Sequence, residues 1–89
     1  MTQNEFEADL KREGYDVFYG GLRANQENPE HGHPWGARVM VIGGEITITR
    51  DRKAETFHAG DSCMVPANCQ HTEKVGPQGV AYVAGRKPT

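Results

Sequence analysis

From Tyr15 onward the chain is written in short β-favouring runs cut apart by turn residues, and this constrains its fold more than any other feature. YDVFYGGLR, ARVMVI, EITITR, AETFH, SCMVP, HTEKV and VAYVAGR are separated by stretches such as GG, DRK, AGD, ANCQ and GPQG. EITITR alternates apolar and polar residues strictly, as a half-buried strand does. The GG before it predicts a tight hairpin, and GPQG predicts another turn. RANQENPEHGHPWG, rich in Pro and Gly, reads as a loop. About seven short strands so punctuated close into a small sandwich or barrel.

Only the N-terminal segment departs from this texture. TQNEFEADLKREG predicts a helix, with Thr2 as its cap and Glu5 completing a capping box. Phe6 and Leu10 lie four residues apart and form a buried stripe, and Gly14 is the stop. So short a helix needs something to pack on. The expected organisation is one domain, with a helix over residues 1–14 packed on a barrel over residues 15–89.

With 89 residues, of which 36% are hydrophobic, such a barrel has a thin core. Scaffolds of this size gain stability from a disulfide, a metal or a second subunit. Cys63 and Cys69 read as free thiols of a reducing compartment, Cys63 packing as a small apolar residue. The net charge is −2 and the basic residues are scattered, which argues against a nucleic-acid surface. Arg86 and Lys87 read as a short basic tail. No apolar run is long enough to span a membrane, and the acidic, polar N-terminus lacks a signal-peptide core. The expected location is the cytoplasm. Exposed edge strands on a thin core predict a homodimer.

The histidines carry the functional signal. If the strand holding ARVMVI begins early, His31, His33, Ala37, Val39 and Val41 share its inward face. Imidazoles at i and i+2 on one face can reach one ion at 2.0–2.1 Å. His71, opening HTEKV, is the candidate third ligand. Glu73 shares the parity of His71, so it faces the same interior or stands on an edge strand in solvent. Inside, it is a substitute fourth ligand or a general base. Trp35, of the histidines' parity, is a candidate to stack on a substrate, or else it covers a subunit interface. Arg38 falls on the outward parity. His58, in a turn, is expected to be exposed.

Two stretches in register resemble the cupin superfamily of small β-barrels. Its first motif is His-x-His, three or four residues, Glu, six residues, Gly; HGHPWGARVMVIGG supplies His31, His33 and Gly44 at those steps. Its second is Gly, five residues, Pro-x-Gly, two residues, His, three residues, Asn; Gly60, Pro66 and His71 match. The resemblance covers about residues 28–85. It implies an all-β, double-sheet, jelly-roll-like barrel, with His31, His33 and His71 as ligands of one divalent transition metal ion (Fe, Mn, Zn, Ni or Cu). The family's metal-binding Glu falls on Ala37, its motif Gly on Asn68 and its terminal Asn on Val75. A water molecule and Glu73 are the alternatives for the missing ligand. The resemblance implies a metal-dependent enzyme of dioxygenase or isomerase type acting on a small polar molecule. Its alternatives are a non-catalytic ligand or metal sensor, or a barrel with no metal. Loss of the carboxylate leaves a more positive site, which favours an anionic group.

Overall fold

The computed structural model describes residues 1–87, so the last two positions of the expected barrel lie outside the described residues. The elements are a helix α1 (Gln3–Arg12) and six strands: β1 (Asp16–Leu22), β2 (Glu27–His31), β3 (Gly36–Arg50), β4 (Lys53–His58), β5 (Ser62–Val65) and β6 (His71–Lys87). All strand pairs are antiparallel. Among the described residues no helix is long and apolar enough to cross a membrane.

Two long strands organise the barrel. The first half of β3 pairs with the second half of β6, and the second half of β3 with the first half of β6. Around the first of these pairings lie β1 and β5, and around the second lie β2 and β4. The molecule is thus one hydrogen-bonded ladder folded into two four-stranded layers. The fold lies where the register slips, at Val41–Gly43 and Gly44–Ile46 of β3. Gly43-Gly44 is therefore a bend inside one strand, where the spacing predicts a hairpin. GPQG, predicted as a turn, is likewise internal to β6. The reason is close approach: Gly44 has φ +72°, and a Cβ there would stand 1.9 Å from the Gly79 carbonyl oxygen. Glycine permits the two ladders to cross backbone to backbone.

The tight hairpin occurs instead at Asp51-Arg52, between β3 and β4. Both residues have positive φ, 51° and 62°, as the favoured two-residue turn requires. Part of the predicted loop is also a strand: β2 pairs with β6 through Glu27↔Lys74, Asn28↔Glu73 and His31↔His71. Pro29 is tolerated there because β2 is an edge strand.

Two apolar clusters lie on opposite sides of the β1–β6–β3 layer. Val41, Ile46, Ile48, Val75 and Val80 form the closed bottom between the layers. Outside, Phe6 and Leu10 of α1 are fully buried against Met40 and Val83. Thr2 and Glu5 form the expected capping box, and Gly14 has φ +83° just beyond the helix. Full burial of Phe6 and Leu10 is worth about 1.5–3 kcal/mol each, which holds a ten-residue helix that would not form alone. Arg38 points to this outer side, where it ion-pairs with Glu13 at 2.5 Å. His58 is exposed, as expected.

Candidate metal centre

His31 is the last residue of β2 and His71 the first of β6, and the ladder sets them directly opposite. His33 follows in the loop before β3; its carbonyl accepts the Asn68 backbone N–H at 2.6 Å. Asn68 holds a left-handed φ of 63°, so it fulfils the turn a glycine would otherwise make. One ligand atom from each of His31, His33 and His71 lies within 4.8 Å of the others, and among the described residues this is the cluster able to hold a metal ion. The ring centroids of His31 and His71 are 4.4 Å apart, and those of His33 and His71 5.9 Å. His71 is 3% exposed; His31 and His33 are half-buried.

The hydrogen bonds orient the rings. Nδ1 of His31 donates to the Pro29 carbonyl at 2.8 Å, and Nδ1 of His71 to the Cys69 carbonyl at 3.1 Å. Each proton is thereby held on Nδ1, and the Nε2 lone pair is left to the interior. A metal-ligating histidine is commonly oriented in this way, its other ring nitrogen donating to a carbonyl. Glu73 faces the same point. Its Oε2 is 3.5 Å from His71 Nε2, and its Oε1 is 3.9 Å from His31 Nε2. Asn28 Nδ2 donates to Oε1 at 2.7 Å, and Gln26 Nε2 in turn donates to Asn28 Oδ1 at 3.0 Å. Ala37 lines the cavity with no donor atom. Burial holds His33 below the usual histidine range, and the neighbouring His31 and His71 push it the same way.

The cluster opens into a cavity of about 310 Å³ between the layers. Its wall is mainly apolar, with Val39, Val41, Ile46, Ile48 and Phe57 among the lining residues. Trp35 lies on this wall and stacks on His33, centroids 4.8 Å apart and planes at 9°. Cys63 also lines it, its thiol pushed up by burial. Cys69 is half-buried, and both cysteines are free thiols.

Arg86 is the residue that sequence reasoning missed. It is no tail: it belongs to β6 and lines the cavity, with its Cζ 4.6 Å from the Trp35 ring and 4.7 Å from the Phe18 ring. The signal was present as parity, because Val80, Tyr82, Ala84 and Arg86 alternate onto one face.

A family model described as "Cupin domain" matches residues 19–76. No curated protein matches the chain significantly. Among solved structures, a protein of unknown function from Rhizobium leguminosarum bv. viciae is similar, with TM-score 0.78 and 16% identity over 84% of this chain and 71% of that one. An RmlC-like cupin from Shewanella frigidimarina is similar with TM-score 0.73 and 23% identity, over 84% and 67% of the two chains. A chain from a study of DMSP lyases is similar with TM-score 0.76 and 14% identity, over 84% of this chain and 39% of that one. At these identities the likeness speaks for the fold alone.

Proposed function

This chain belongs to the cupin domain family, and from that premise we propose that it is a small metal-binding cupin acting on a small molecule inside its barrel. The observation that carries the reading is the orientation of His31 and His71: both Nδ1 atoms bond to backbone carbonyls, and both Nε2 atoms face the carboxylate of Glu73. Three imidazoles and one carboxylate form a donor set suited to a divalent transition metal. One ligand atom from each imidazole lies within 4.8 Å of the others, so His31, His33 and His71 would hold the ion.

In this reading His31, His33 and His71 hold the ion, and Glu73 replaces the carboxylate that Ala37 cannot offer. Asn28 steadies one oxygen of Glu73 and leaves the other directed at His71. The bound ion would supply Lewis acidity toward a ligand oxygen or, as iron, redox chemistry with dioxygen. A ligand seated against the apolar wall would displace water from it, which would strengthen its polar contacts. Trp35 stacks on His33, which restrains that ring, and it lines the cavity. We place the activity in the dioxygenase or isomerase class.

One observation favours a second reading, a non-catalytic ligand sensor. If Glu73 is a ligand, it is no longer free as a base. The other titratable residues on the wall include Asp61, Cys63, Tyr82 and Arg86, and among the described residues none of these four hydrogen-bonds to the cluster. Elemental analysis of protein purified without added metal tests the common premise: about one ion per chain is expected, with loss in His71→Ala. Saturating metal at about 100 times its Kd adds about 2.7 kcal/mol of stability, and the melting temperature rises accordingly. Unchanged metal content in His71→Ala overturns the assignment. Oxygen uptake with candidate substrates, against recovery of an unaltered stabilising ligand, separates enzyme from sensor.

A further inference from the structure

We propose that the cavity takes a small carboxylate with an apolar body, and that Arg86 binds the carboxylate at the cavity mouth. This deepens the reading above and rests on it for the opposite pole of the ligand, the histidine cluster. The anion site itself is formed by Arg86 and its surroundings.

The placement follows from β6. Its inward residues run His71, Glu73 and Val75 before the bend, then Val80, Tyr82, Ala84 and Arg86 after it. Because β6 folds at 76–79, its two ends face each other across the open end of the barrel. Val75 and Val80 lie at the bottom beneath them. One strand therefore supplies a metal-ligating pole, an apolar floor and a cationic pole to a single cavity of about 310 Å³.

Arg86 is exposed at the mouth, and its guanidinium rests on two aromatic rings. Phe18 and Trp35 both lie against it, with Cζ 4.7 and 4.6 Å from their ring centroids. Such contacts restrain a planar cation by its faces and leave the N–H edges free to form paired hydrogen bonds. The other arginine–carboxylate pairs of the barrel and helix are Arg12 with Asp9 and Arg38 with Glu13; among the described residues no carboxylate pairs with Arg86. The residue also stands close to the cluster, because Trp35 stacks on His33 and on Arg86 alike. A molecule reaching from Arg86 to the histidines needs an anionic group at one end. Its body must suit Val39, Val41 and Phe57 on the wall.

Isothermal titration with benzoate and its neutral counterpart benzamide tests this, first on EDTA-stripped protein. Wild type should prefer benzoate by at least about tenfold, the low end for a charge-assisted hydrogen bond. Arg86→Gln should remove the preference and Arg86→Lys should keep part of it, with melting temperatures confirming that both variants fold. His71→Ala should lose metal yet keep the preference, so failure of the metal reading and failure of this one are distinguishable. Equal binding of the two probes by wild type, no benzoate binding at millimolar concentration, or a preference that persists in Arg86→Gln overturns the proposal.

Discussion

Replacing Gly44 with alanine attacks the bend that brings the two halves of the barrel together. The new Cβ would stand 1.9 Å from the Gly79 carbonyl oxygen and 2.8 Å from its carbon, far inside ordinary contact of 3.4–4 Å. Both neighbours are backbone atoms, so no side chain can swing away, and the two strands must part. The φ of +72° adds about 1–2 kcal/mol for an L-residue with a Cβ, and overpacking adds about 1–3 kcal/mol. A loss of about 3 kcal/mol is the central expectation. At about 0.05–0.15 kcal/mol per residue, that is a large part of what a chain of 89 residues has. The melting temperature should fall by about 12–24 °C. Gly14→Ala is the matched control: its φ is +83°, but nothing lies within 4 Å of the added Cβ. It carries the conformational strain without the collision. Urea unfolding, followed by fluorescence of the single tryptophan, Trp35, and by circular dichroism, reads both variants. If Gly44→Ala loses no more stability than Gly14→Ala, the steric account of the bend is wrong.

Other expectations concern the helix and pH. Phe6→Ala should cost about 3–5 kcal/mol, since the ring is fully buried, while leaving metal content per folded chain unchanged; urea titration and elemental analysis check the two halves. In the metal-free protein His33 is held below its usual value, first by burial. As pH falls through about 6.5 the unfolded chain therefore takes up the proton before the folded one, and stability declines until the folded value is passed. Urea midpoints should drop as pH falls through about 6.5, and His33→Asn should flatten that dependence.

Much of the site was legible because strand parity is a strict rule. Ala37, Val39 and Val41 of β3 line one cavity with His71 and Glu73 of β6, as alternation within each strand requires. The early-starting strand expected to carry His31 and His33 as well is not formed: β3 begins at Gly36, and His31 arrives through the pairing of β2 with β6. Helix α1 was equally legible, since its cap and buried stripe are local features. What failed was punctuation. GG and GPQG carry turn signals, yet the same glycines serve crossing ladders, and a local reading cannot tell a reversal from a bend. The true reversal at Asp51-Arg52 lacks the glycine that usually marks it. β2 was hidden by Pro29, which an edge strand tolerates. Arg86 is exposed, as a basic residue near a chain end is expected to be, but its parity on β6 also sets it on the cavity rim.

The seat of the N-terminal helix carries a consequence for the cationic wall. A Cβ at Gly85 would lie 2.7 Å from Leu10 Cδ2, so α1 rests directly on the backbone beside Arg86. The helix is a brace on the outside of that wall. Load transmitted along one residue of backbone works in both directions: whatever is gripped at Arg86 should also slow hydrogen exchange at the amides of α1, and loosening the brace should weaken the grip while the imidazoles stay where they are.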